Sequence, residues 1–470
     1  MTHNRREFLR RSACGLTAAA LAASIKDFGL IGALARQEQP DAADYKALVC
    51  IFMSGGNDGN NTVIPYDDYS AAGGYSVVRG SSQLAVPQAN LLQISPPSQQ
   101  GRKFGFHPNM TEMQSLFNQN KLAVLCNVGT LVQPLTKAIY QSGQGRPYQL
   151  FSHSDQVTQQ QSSISNTPSQ TGWGGRTSDA MNGVNGAAPL PMNVSIAGTN
   201  LFEKGADTRM LAIGDSNTPL SSVLALNDAP GSTAAEKTAR NAAFDQIRGA
   251  DNNFTLIKAS SDVVSQALIT RAALSTNPTI NTVFPNTSIG RQLLQVSRLL
   301  SLRNTLGVSR QIFFCSLGGF DTHSNQTSTD LNGNQGNLLR QLSQAMNAFY
   351  NATVELQIAT QVTAFTLSDF GRTFQPAGTG AGTVGSDHGW GNHQFILGGS
   401  VARGDFFGTY PTLALGGPDD TDTRGRWIPT TSIEQYGATL ATWYGLSSAD
   451  LSTVFPLLSR FPTSNLGFLS

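Results

Sequence analysis

The sequence predicts an α/β fold built on a mostly parallel central sheet, and three observations carry that prediction. Runs of strand length that are apolar without alternation, such as 46–53 (KALVCIFM), read as strands buried on both faces. Amphipathic helical stretches separate these runs with no hairpin signal between them, the grammar of βαβ units. Three runs lead into turns that carry an aspartate: Asp58, Asp321 and Asp369. Ligands of open α/β sheets bind at the carboxyl ends of strands, so these three groups are expected to face one crevice.

In chain order, the strand 46–53 runs straight into Ser54-Gly55-Gly56-Asn57-Asp58, a turn of Gly, Asn and Asp. Residues 66–87 read as a surface excursion. Met110, Met113, Leu116 and Phe117 sit at helical spacing after His107-Pro108, and 121–128 is a second apolar strand. Residues 186–232 mix short apolar runs with Gly, Pro and Asn, an irregular β insertion, while 233–275 read as helical. Together they form an insertion over about 186–285. Ser288 to Leu306 is an amphipathic helix with Leu293, Leu294, Val296, Leu299 and Leu300 on one face. It feeds a strand at 311–316. A helix at 337–356 leads to the strand 362–367, then to a Gly-rich loop, a short strand at 395–397 and a helix at 433–444. Gly380 to Gly385 matches G-x-G-x-x-G but opens no helix after a strand, so it is read as a loop and not a dinucleotide site.

Asn4-Arg5-Arg6-Glu7-Phe8-Leu9 resembles a twin-arginine export motif, followed by an Ala/Leu stretch and a small-residue cleavage site at Ala33-Leu34-Ala35. Residues 1–35 are therefore expected to be a signal peptide and 36–470 the mature domain, periplasmic or secreted. The five basic and two acidic residues of 1–35 account for the formal charge of +1; without them 26 basic groups face 28 acidic ones. That balance gives no footprint for nucleic acid. No stretch is long and apolar enough to be expected to span a membrane. Cys14 falls in the signal, and Cys50, Cys126 and Cys315 each lie in an apolar run, where free buried thiols are expected.

Beyond the signal the chain has five histidines, and His323, His388 and His393 lie within a few residues of Asp321 or Asp387. Carboxylates and imidazoles without paired cysteines suit Zn, Mn, Mg or Ca, one ion or two sharing a carboxylate. The candidate metal ligands are Asp58, Asp321, His323, Asp369, His388 and His393. His153, in Phe151-Ser-His-Ser-Asp, is a phosphate or metal neighbour, and Arg372 a candidate anion clamp. His107 before Pro108 reads as a helix-entry residue. Asp caps and Asx-turns account for any one of the aspartates alone.

The segments FMSGGNDGNNTVIPYDDY, SHSDQ, TGWGGR, GGFDTH, LSDFGRT, DHGWGNH and GRWIP resemble, in the same order, an exported family called domain of unknown function 1501. That family looks like a branch of the alkaline phosphatase and sulfatase superfamily. The resemblance implies a three-layer αβα domain with loop and helical insertions. It also implies one metal at Asp58, Ser152 and Asp369, with Ser152 as nucleophile, and a second at Asp321, His323 and His388. Ser54, Thr62 and Ser154 are competing hydroxyls. Three features depart from the superfamily pattern. Asp321 and His323 are only two apart, Phe370 follows Asp369 where phosphatases often carry His, and no formylglycine-type Cys-Pro-Arg pattern surrounds Ser152.

Two functions follow as expectations. One is an exported metal-dependent hydrolase of phosphate or sulfate esters, acting on a small or polymeric anionic ester. The other is a non-catalytic secreted or cell-surface protein that retains the fold and a structural metal, beside a co-exported partner.

Overall fold

The computed structural model describes residues 44–208, 210–223, 231–250, 254–328 and 331–470; the expected signal peptide and Cys14 lie outside them. Nine strands form the main sheet: β1 (Lys46–Met53), β2 (Leu122–Gly129), β3 (Asn193–Ser195), β4 (Leu211–Ala212), β5 (Arg310–Leu317), β6 (Val362–Ser368), β7 (Asn392–Gly398), β8 (Phe406–Gly408) and β9 (Thr431–Ser432). Their spatial order is β8-β2-β7-β6-β1-β5-β3-β4, with β9 also on β2. All neighbours are parallel except at β7, which runs antiparallel to both β6 and β2.

The centre of the sheet shows why the apolar runs do not alternate. Ala47, Val49, Ile51 and Met53 of β1 enter one core, while Leu48, Cys50 and Phe52 enter another. The first core is closed by helices α1 (Thr111–Asn118), α6 (Ser288–Ser301) and α7 (Asn334–Glu355), the second by α3 (Trp173–Ala180) and α8 (Ile433–Tyr444), with α2 (His153–Ser162), α4 (Ala234–Gly249) and α5 (Thr255–Ala273) also along the chain. A strand covered on both faces must be apolar at every position, and a helix lends only a stripe. The result is a layer of helices on each face of one mostly parallel sheet. No helix of the described residues is long and apolar enough to cross a membrane. Cys50, Cys126 and Cys315 are buried and free.

Three segments differ from the sequence expectation. The loop after β6 is a hairpin, Arg372–Ala377 paired antiparallel with Gly385–His388, turned by glycines with positive φ at Gly378, Gly380 and Gly382. Residues 186–232 contribute β3 and β4 to the sheet edge. The excursion at 66–87 is not a surface feature throughout. Tyr69, Tyr75, Arg79 and Val86 are buried, and Tyr75 and Val86 pack with Phe374 and Trp427.

Candidate metal centre

β6, β1 and β5 are adjacent and parallel, so the turns after them meet at one edge of the sheet. The turn after β1 is the narrowest point. Gly55 and Gly56 adopt φ of +114° and +83°, and a Cβ on Gly55 would stand 2.3 Å from the Asp321 nitrogen. Only glycine supplies that backbone and that approach. The reward is local: the Gly55 N–H donates to Asp369 Oδ1 at 2.9 Å, fixing the carboxylate that follows β6.

His153 reaches the same place from the first turn of α2. Gln159, Gln160 and Gln161 of this helix are buried, and their side chains tie its turns to neighbouring loops, Gln159 Nε2 to Tyr148 O and Gln161 Oε1 to the Leu201 and Phe202 nitrogens. A polar helix buried by amide hydrogen bonds carries no apolar stripe, which is why its sequence did not announce its place. His388 ends the hairpin opposite Arg372, and Asp321 and His323 follow β5.

The imidazoles of His153, His323 and His388 surround the Asp321 carboxylate. From Asp321 Oδ1 the Nε2 atoms of His153, His323 and His388 lie at 3.4, 3.2 and 3.7 Å. His323 Nε2 and His388 Nε2 are 2.8 Å apart. Each ring's other nitrogen is anchored: His153 Nδ1 to Asp369 Oδ2 at 2.7 Å, His323 Nδ1 to Asp387 Oδ1 at 3.1 Å, and His388 Nδ1 to the Phe151 carbonyl at 2.7 Å. Phe151 takes a left-handed φ of 70°. His153 Nε2 is buried and makes no hydrogen bond. His153, Asp321 and His388 can each offer a ligand atom, all within 4.8 Å of one another.

The electrostatics keep the carboxylates charged. Partial burial pushes the Asp321 carboxyl up, but the hydrogen bond and charge of Arg372, with His153 and His323, outweigh it and hold the group below its ordinary value. Asp387 behaves alike, with Arg424 and His323 overcoming its burial. Burial pushes His388 down from its ordinary value, against its bond to the Phe151 carbonyl, and His153, Arg372 and His323 add to the depression.

The structure thus brings Asp321, His323 and His388 together, adds His153 to them, and holds Asp369 one bond behind His153. Asp58 and His393, also expected as ligands, are set apart from this group. Asp58 is fully enclosed and ion-paired with Arg79 at 2.5 Å, while accepting from Gln326 Nε2 at 2.6 Å and the Asn60 nitrogen at 3.0 Å. His393 is buried, stacks on Tyr410 at 4.9 Å, and accepts the Asn127 N–H at Nδ1; burial pushes it down to about 3, against the pull of Asp58. Arg372 is buried too, donating to the carbonyls of Gly55, Gly56 and Ser386 and to Asp321, so it positions Asp321 and leaves little for an outside anion. Ser152 stands immediately before α2, where it makes no capping bond; its Oγ donates to Asp155 Oδ2 at 2.6 Å. Arg79 had no sequence signal, because a five-residue helix has no periodicity to read.

Residues 45–422 match the family described as Protein of unknown function (DUF1501), and the chain belongs to it. No curated protein matches. Among solved structures, the C-terminal periplasmic domain of EcEptC from Escherichia coli, in a complex with Zn, is similar at 11% identity and a TM-score of 0.35, covering 91% of this chain and 90% of that one. Ps i-CgsB in complex with k-i-k-neocarrahexaose is similar at 9% identity and 0.34, over 87% and 74% of the two chains. The PsFucS1 sulfatase from Pseudoalteromonas sp. gives 9% and 0.33, over 96% and 74%. At these scores the likeness carries no argument about activity.

Proposed function

We propose that this DUF1501 protein is an exported, metal-dependent hydrolase of phosphate or sulfate esters with an alkaline-phosphatase-like arrangement. One observation supports the reading above the others: imidazole nitrogens converge on a carboxylate oxygen while each ring's far nitrogen is anchored to an acceptor. Metal-binding histidines are oriented in this way by carboxylates and carbonyls. The unpartnered, buried His153 Nε2 fits the same use. A divalent ion bound there supplies Lewis-acid polarisation of an ester oxygen. The chain's own residues supply the rest. Ser152, next to His153, is the proposed nucleophile, and Asp155 Oδ2 already accepts a hydrogen bond from its hydroxyl. Asp321 is half exposed and His323 is 45% exposed, so the centre is open to a polymeric as well as a small ester.

A second reading has its own support. The Phe370 ring stands 4.7 Å from both His153 and His388, an apolar wall where phosphatases often place a ligand. His153, Asp321 and His388 could equally hold an ion with no catalytic role. This reading is a secreted protein with a structural ion and no turnover.

Protein purified without chelator should be assayed on aryl phosphate and aryl sulfate esters with added Zn, Mn or Ca. Turnover that is removed by chelator and by Ser152→Ala supports the hydrolase. No turnover under any of these metals sinks it. Export is tested separately: replacing Arg5 and Arg6 by Lys should retain the unprocessed chain inside the cell.

A further inference from the structure

We infer that two copies of this chain associate through the helical hairpin of α4 and α5, with Ile247, Phe254, Leu256 and Ile257 meeting across a two-fold axis.

The hairpin is poorly covered by its own chain. No residue of α4 is buried, and of α5 only Thr270 is. An isolated helix of such length is marginal in water, and packing of an apolar face supplies most helical stability in proteins. α5 is tied to the body at its far end, where Gln266 Nε2 and Thr270 Oγ1 donate to the Pro189 carbonyl and Leu274 enters the first core. The last turn of α4 is held to α5 in turn: Arg248 Nη1 donates to Ser265 Oγ at 2.6 Å, and Ser261 Oγ to the Arg248 carbonyl at 2.8 Å. Residues 254–258, at the joint of the two helices, are all exposed.

Apolar groups collect at that joint. Among the described residues ten large hydrophobic side chains are exposed, and five lie between 247 and 269: Ile247 at 73%, Phe254 at 64%, Leu256 at 57%, Ile257 at 38% and Ile269. α5 has only Lys258, Asp262 and Arg271 as charged residues. Its neighbours Leu256–Ile257, Val263–Val264 and Leu268–Ile269 point about 100° apart, so apolar groups ring the helix. A helix apolar all round is normally a buried one. α5 is not apolar enough to cross a membrane, which leaves a protein surface as its cover.

Area and charge select a second copy as that surface. Taking roughly 200 Å² for each large residue, the four at the joint present about 450 Å² of apolar surface at those exposures. One side of a standard interface is about 800 Å² and a little over half apolar, which is the same quantity. Among the described residues the charges at the joint cancel, Arg248 pairing with Asp245 and Lys258 with Asp262. An identical patch therefore meets no repulsion, as an isologous contact requires. The same neutrality leaves no excess of cations to draw the hairpin to an anionic membrane.

The test is sedimentation equilibrium of the full chain at rising concentration, up to about 100 µM, beyond the micromolar limit at which standard interfaces associate. A reversible dimer is expected. Phe254→Asp and Leu256→Glu together should weaken it at least about 100-fold, by removing two apolar anchors. Both changes suit the start of α5, Asp as N-cap and Glu in the first turn, so the helix should survive them; circular dichroism checks that helicity is kept. Hydrogen exchange of the parent, dilute against concentrated, needs no variant. Amides at 244–250 and 254–260 should gain protection on concentration while those of β1 stay unchanged. A chain that remains monomeric, a dimer that survives the double substitution, or protection gained only away from the hairpin overturns the inference. So does binding of the parent to phosphatidylcholine or phosphatidylglycerol vesicles that the double substitution abolishes, since the joint would then serve a lipid surface.

Discussion

Asp58 and Asp321 stand on turns that follow adjacent parallel strands, each with histidine nearby, and they meet opposite fates. Asp58 is fully enclosed, and its charge is answered from within by Arg79, which also donates to Asn61 and to the carbonyls of Thr373 and Phe374. Asp321 is half exposed, and Arg372 and three imidazole nitrogens all approach its Oδ1. A buried carboxylate must be paired or hydrogen-bonded, and whatever cation the fold provides decides its role. Where a guanidinium fills the shell completely, the carboxylate is part of the core. Where the remaining neighbours are imidazoles, it is the place proposed for an outside cation.

The largest test of that contrast removes the resident cation. Arg79→Leu leaves Asp58 charged, buried and unpaired, and should cost about 3–5 kcal/mol in urea unfolding of the metal-free protein. His323→Ala, on a half-exposed ring of the other constellation, should stay within about 0.5 kcal/mol. Equal losses would erase the distinction. The next effect is the converse. Zn at a hundredfold excess over its dissociation constant should stabilise the parent by about 2.7 kcal/mol, seen as a higher melting temperature, and His388→Ala should show no such gain. A gain that survives in His388→Ala would place the ion elsewhere.

The same contrast explains what could be read from the chain. The strand 46–53 and the helix 433–444 are recognisable because burial on two faces, or on one stripe, leaves a pattern in neighbouring residues. The aspartates after β1, β5 and β6 were legible for the same reason, since they interrupt or follow such patterns. What each aspartate meets was not legible. Arg79 arrives from a short helix between turns, and His153 from a glutamine-rich helix whose burial rests on amide hydrogen bonds. Those partners lie 21 and 168 residues away from Asp58 and Asp321 in the chain, and only the topology joins them. The hairpin that carries His388 was hidden in a stretch of glycines that reads as loop.

The smallest effect concerns His393, the histidine of the closed constellation. Its folded form is held down to about 3 by burial, against the charge of Asp58, and its Nδ1 accepts the Asn127 N–H, a bond that protonation there would break. His107 is likewise lowered by burial, to about 4. As pH falls below 6.5 the unfolded chain binds protons that these two folded histidines refuse, so both erode stability toward acid. Glu203 and Glu434 act with the opposite sign. Burial raises each from 4.5 to about 8, so between those values the folded state keeps protons that the unfolded chain has released, and stability grows as pH falls. Between pH 4.5 and 6.5 these slopes oppose one another, with the lowered His388 adding to the acid-side loss, and above pH 6.5 the parent protein should lose stability as pH rises toward 8. His393→Gln keeps a side chain able to accept from Asn127 but removes one acid-side slope. Its stability should therefore gain on the parent by up to about 1.4 kcal/mol for each pH unit lowered across that window, whatever its starting stability. Urea unfolding at three values between pH 6.5 and 4.5 measures this directly. A variant with the same pH slope as the parent would mean that His393 takes up its proton in the folded state, and that the closed constellation is open to water after all.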